Sequence, residues 1–131
     1  MSTNFLKVKN YIYELGYDID FEDEEEGIIV VNKSSEGINN MVIGVADPIV
    51  IVEQFLFELG RDDKEVYRKL LVKNRDIIHG AFVIDEESNK VIFRDTLQLE
   101  NLDLNELEST FNSLALLLSE YTDEIIEFSK N

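Results

Sequence analysis

Asp18, Asp20 and Glu22 stand at alternate positions, and of all the residues in this chain their spacing comes nearest to a reagent. Carboxylates two residues apart open the calcium loop of an EF-hand, where successive side-chain oxygens begin to wrap the ion. The same loop needs glycine at its sixth position for a sharp turn and glutamate at its twelfth to grip the ion with two oxygens. Those positions hold Asp23 and Ile29, so the spacing predicts a solvated acidic strand and turn, with no metal site. The lone His79 has no serine, cysteine or carboxylate pattern beside it that would form a triad or dyad. Carboxylates are plentiful, but no pair is set apart in an apolar stretch that would split their pKa values into an acid and a base. The expectation is a protein with no catalytic residue, no cofactor and no metal.

Charge narrows the partners. The 131 residues carry 28 Asp and Glu against 12 Lys and Arg, a net charge of −16. Such a charge opposes the counterion release that draws proteins to nucleic acid and repels anionic membranes, so neither is expected as a partner. Without cysteine there is neither a disulfide nor a thiolate metal site. No basic and apolar leader opens the chain, and no apolar run approaches a membrane span; a cytoplasmic location is expected. With 44% hydrophobic residues, residues 1–131 suit one core and one domain. Half of the basic residues gather on one stretch: Arg61, Lys64, Arg68, Lys69, Lys73 and Arg75. That face either balances acidic neighbours or binds an acidic partner.

The elements that must position these residues follow from periodicity. Phe5, Val8, Ile12 and Leu15 step by three and four, with Ser2 or Thr3 as cap and Gly16 as stop, and predict a first helix. Tyr11 and Tyr13 widen its apolar stripe. Alternation of Tyr17, Ile19 and Phe21 with the three carboxylates predicts a strand, and Asp23 to Gly27 a turn. Strands over Gly27 to Lys33 and Ile38 to Ala46 follow, then a break at Asp47-Pro48. From Ile49 to Leu59 the chain is most apolar. Ile49, Ile51, Phe55 and Phe57 are expected on one face of a strand and Val50, Val52 and Leu56 on the other, both covered.

A second helix is expected from Asp62, capped in a box with Glu65, with Val66, Tyr67, Leu70 and Leu71 inward. Gly80 to Asp85 and Lys90 to Leu99, joined by Glu86-Glu87-Ser88-Asn89, read as a hairpin. Asp103 then caps a long helix, with Glu106 three residues on and Leu102 and Leu107 as a hydrophobic staple. Its stripe is Leu104, Leu107, Phe111, Leu114, Leu118, Tyr121, Ile125 and Phe128. Ala115, Leu116 and Leu117 add apolar surface beyond what one sheet face requires.

The stretch from Asn74 to Tyr121, with HGAFVID, then VIFRDTLQLENLDLNELE, then a helix rich in Leu and Ala, resembles the bacterial YbjN family. That family is related to the class I type III secretion chaperones, also called Tir chaperone-like or CesT-like. The order helix, antiparallel strands, helix, hairpin, helix extends the resemblance over nearly the whole chain. It implies an α+β fold: a twisted antiparallel sheet of about five or six strands with three helices, usually dimeric, whose secretion-chaperone members bind extended segments of client proteins. No catalytic residues come with it.

The expected function is therefore that of a non-enzymatic, homodimeric, chaperone-like module holding a client segment by strand pairing and apolar pockets. Its expected protein-binding residues are Tyr11, Tyr13, Ile49, Ile51, Phe55, Phe57, Leu116 and Leu117. The alternative is a sensory or regulatory domain that binds a signalling protein or small ligand through Arg61, Lys64 and Arg68.

Overall fold

A computed structural model describes residues 3–130. Its elements run α1 (Thr3–Glu14), β1 (Asp18–Asp23), β2 (Ile28–Lys33), β3 (Ile38–Ala46), β4 (Ile49–Glu58), α2 (Lys64–Asn74), β5 (Ala81–Ile84), β6 (Lys90–Gln98) and α3 (Leu104–Ser129). The six strands form one antiparallel sheet in the order β1-β2-β3-β4-β6-β5. The α+β expectation of three helices and an antiparallel sheet of five or six strands holds, with six strands present. Ser2, one of the two proposed caps of α1, lies outside the described residues, and Thr3 is already helical.

The core lies between one sheet face and the helices. Ile29 and Val31, Met41 and Ile43, Val50 and Val52, and Val91 and Phe93 alternate along their strands and are buried. Over them lie Phe5, Val8 and Ile12 of α1 and Leu107, Phe111, Leu114 and Leu117 of α3. At the far end Val66 and Leu70 of α2 are buried beside Phe82 of β5. Asp103 caps α3 as expected, accepting from the Glu106 amide at 2.8 Å.

Four expectations need correction. The cap of α2 is Asp63, whose carboxylate accepts from the amides of Glu65 and Val66 at 3.0 and 3.3 Å. Asp62 instead accepts from the Tyr67 hydroxyl at 2.7 Å. The register sets this choice, because only Asp63 stands three residues before Val66, the first buried position. Leu71, placed inward, is 71% exposed: the buried stripe of so short a helix is only Val66 and Leu70. Phe57 leaves the face of Ile51 and Phe55, because a bulge between Phe55 and Phe57 turns it to the helix side, where it packs on Phe128. A second bulge, between Ile19 and Phe21, turns Phe21 away from Ile19 and leaves it 56% exposed.

Within the apolar strand β4 the sequence pattern also hid Gln54, which is buried on the helix side. Its amide closes the β2–β3 connection: Nε2 donates to the Gly37 carbonyl at 3.0 Å and Oε1 accepts from the Asn39 amide at 3.1 Å. A buried side-chain amide is tolerated where both ends are bonded.

Tyr17 links α1 to α3. Its ring lies 4.4 Å from that of Phe111, and burial, then the Glu36 carboxylate, pushes its hydroxyl well above the usual tyrosine range. A proton held more tightly in the folded state stabilises the fold below the unfolded pKa of about 10 and loses that contribution as pH rises through the folded value. Unfolding free energy, followed by urea titration, is expected to fall steadily above pH about 10. In Tyr17→Phe that part of the pH slope should vanish.

Candidate protein-binding surface

Because side chains alternate along a strand, a sheet with one face under helices leaves a second set of residues on the other. Here that second face is apolar, and no described helix crosses it. One row of paired residues runs Phe21, Val30, Val42, Glu53, Arg94 and Ala81 across all six strands. Ile28, Gly44, Ile51 and Thr96 form the row on one side of it, and Phe55, Ile92 and Val83 the row on the other. Phe21, Val42 and Phe55 are exposed, at 56, 38 and 54%. Ile28, Val30, Ile49, Ile51, Val83 and Ile92 are half-buried, shielded sideways by one another. The expectation that β4 is covered on both faces is thus corrected: its Val50, Val52, Gln54 and Phe57 are buried, but Ile49, Ile51 and Phe55 lack a layer above them.

Between the central strands of this face, charges stand opposite one another. Arg94 donates to and ion-pairs with Glu53 directly across β4 and β6. Near the end of the same strands Glu58 stands opposite Lys90. Around Phe55, Val83 and Ile92 the surface dips into a hollow of about 540 Å³, rimmed by Asp85, Glu86, Lys90, Glu53 and Arg94.

A smaller cleft of about 310 Å³ opens on the helix side, between α3 and the segment before β5. Leu116 and Ile78 flank it, 57 and 85% exposed, and His79, Asn112, Ser113 and Glu120 line it. Ser113 Oγ donates to the His79 carbonyl at 2.7 Å, tying α3 to that segment. His79 is a lining residue of this cleft with no catalytic constellation around it among the described residues. Nor does any group of three or more His, Cys, Asp or Glu there converge on a metal position.

The expected binding residues therefore separate. Ile49, Ile51 and Phe55 come together on the open sheet face. Phe57 and Leu117 are core, 5 and 3% exposed. Tyr11 is half-buried, and its hydroxyl donates to the Leu102 carbonyl at 3.2 Å, which fastens α1 to the β6–α3 connection. Tyr13 is exposed on the far side of α1 under the Lys9 ammonium, and Leu116 belongs to the helix-side cleft. Sequence reasoning missed Phe21, Val30, Val42, Val83 and Ile92. Alternation could have assigned them to one face, but strand order was needed to make that face continuous. Of the alternative basic face, Arg61, Lys64 and Arg68 are exposed, whereas Lys73 is drawn onto α3 against Glu124 and the Tyr121 ring.

Three helices set against one face of an open six-stranded antiparallel sheet make an α+β fold. The chain belongs to the CesT_Tir_1 family, whose model matches residues 1–131. Among solved structures it is similar to YbjN from E. coli, at a TM-score of 0.68 and 10% identity over 90% of each chain. It is similar to the chain matched in the HopA1-SchA chaperone-effector complex, at a TM-score of 0.63 and 11% identity over 98% of this chain and 97% of that one. A third similar structure is that of the Yersinia pestis type III secretion chaperone SycH in complex with a fragment of YscM2, at a TM-score of 0.59 and 15% identity over 97% of this chain and 100% of the other. No curated protein matches by sequence alone.

Proposed function

We propose that this chain is a non-enzymatic protein-binding module of the cytoplasm, chaperone-like in action, which holds a segment of a client protein and works as a homodimer. The observation that carries this reading is the bare apolar sheet face on so acidic a chain. Apolar groups left facing water across six strands gain free energy only when another surface covers them. Support also comes from two proteins of the same fold, SchA and SycH, whose structures were determined as complexes with an effector and with a YscM2 fragment.

Strand pairing by the client is directed to one edge. At β5 the outward amide and carbonyl of Phe82 are both taken by the side chain of Asn74, at 2.7 and 3.2 Å, so its centre is closed to an added strand. The other outer strand is β1.

Phe55→Asp tests the reading, because Phe55 is exposed and its loss leaves the core untouched. Binding of a client captured from the producing cell should weaken at least about tenfold, the worth of one buried aromatic in an interface. Titration calorimetry checks this beside an unchanged thermal unfolding curve. Undiminished affinity would exclude the open face as the contact surface.

A further inference from the structure

The acidity of this chain is not spread evenly over its sheet. Of 28 acidic residues, those that the central strands β4 and β6 place on the open face are Glu53, mid-strand, and Glu58, at the strand end, each opposite a cation, Arg94 and Lys90. On β1 and at the β5–β6 turn carboxylates outnumber cations. Asp18 is exposed at the β1 edge, opposite Asn32, and Asp20 accepts from the Asn32 amide beside it. On the other side, in the turn that closes the β5–β6 hairpin, Asp85 and Glu86 rim the hollow around Phe55 beside Lys90. The face thus has a neutral, largely apolar middle between two acidic margins, with Asn32 and Asn40 hydrogen-bonded to each other just inside the β1 margin.

Resting on the client-binding reading, we infer that the segment this face takes has an apolar, uncharged middle and a lysine or arginine at each end. The sheet sets its length. Six strands at about 4.8 Å spacing put β1 and β5 about 24 Å apart, which an extended chain spans in about seven residues. A charge placed in the middle of that segment would be stripped of water over Val42, Ile51 and Ile92 with no free counter-charge, since Glu53 and Arg94 already satisfy each other. Cations at the ends meet Asp18 on one side and Glu86 on the other.

The same margins argue against a second copy of this chain on the face. Both ends of the floor are acidic, so a two-fold packing that aligns two such floors sets carboxylate against carboxylate. The homodimer contact then lies off this face, and the exposed Leu71 and Val72 of α2 remain free for it.

Two synthetic peptides test the inference by fluorescence anisotropy with the whole protein. Both have the middle Val-Thr-Val-Ser-Val-Thr-Val; one carries paired lysines at each end and the other paired glutamates. At low salt the lysine-ended peptide should bind at least about tenfold more tightly, and high salt should narrow the gap because margin charges are exposed. Asp18→Lys with Glu86→Lys, both at exposed positions, should reverse the preference, and Phe55→Asp should abolish binding of either peptide. Equal affinities at low salt, or a preference untouched by the double lysine variant, would overturn the inference. So would light scattering in which the wild type is a dimer and Phe55→Asp a monomer, since a second copy would then own the face. Failure of the client reading is separate: there the wild type captures no cell protein, whereas a client held equally by wild type and Phe55→Asp defeats only the site named here.

Discussion

Truncating Phe111 to alanine is expected to remove about 3–5 kcal/mol of folding stability, the cost of excavating a buried aromatic. Phe111 is wholly buried in the first third of α3 and packs on Tyr17, the residue that joins the end of α1 to the sheet. Its ring therefore ties α3 to the segment between α1 and β1, and little around it can collapse into the space. A domain of this size has about 5–15 kcal/mol in all, so the variant should sit near the edge of folding. Urea titration should show the midpoint fall by more than about 1 M with an unchanged slope. A loss below about 1 kcal/mol would mean that α3 is not seated on this sheet as described. Asn112→Ala, one residue on and exposed, is the control for helix propensity alone.

Gly80→Ala should be nearly as damaging, at about 2–4 kcal/mol, and for two separable reasons. Gly80 has φ +90, a conformation that L side chains rarely adopt. A methyl group there would also lie 2.5 Å from Phe93 Cε1 and Cζ and 3.1 Å from the Arg94 carbonyl oxygen. Phe93 is wholly buried at the centre of the core, so its ring has nowhere to retreat. Gly16 separates the two costs, with φ +84 but no atom nearer than 4.0 Å to the added carbon. Gly16→Ala should lose only the conformational part, about 1–2 kcal/mol. Thermal unfolding of the two variants side by side gives the clash as their difference. Equal losses would show that the close approach of Gly80 to Phe93 does not hold in solution.

Local periodicity was enough for most of the elements. The three-four stripe and Asp103 cap placed α3, alternation and the polar turn placed β5 and β6, and the break at Asp47-Pro48 separated β3 from β4. Each signal sits within a few residues of chain, where backbone geometry alone dictates which side chains share a face. The errors fell where geometry departs from the regular period. A bulge adds a residue with no mark in the hydrophobic pattern, so Phe57 and Phe21 were each given the wrong face. Asp62 and Asp63 are equally good caps as residue types, and only the burial of Val66 and Leu70 selects between them.

The candidate surface was legible only in fragments. Ile49, Ile51 and Phe55 were singled out because their strand is so apolar, while Leu117, chosen for lying off the α3 stripe, proved to be core. Burial of Leu117 depends on how wide a stripe the sheet and the segment before β5 demand of α3, which no residue of α3 encodes. The partition of charge on the open face was equally hidden, because Glu53 and Arg94 are 41 residues apart in the chain and meet only through the pairing of β4 with β6.

By itself the sequence determined what this protein lacks and what it is made of: no cysteine, one histidine, a strong negative charge, and three helices and six strands in order. These are properties of residue type and near-neighbour spacing. The tertiary structure alone decided that all three helices leave the same sheet face bare, and that this face is apolar and neutral between acidic margins. Strand order and bulges set which distant residues become neighbours, and a surface is made of neighbours.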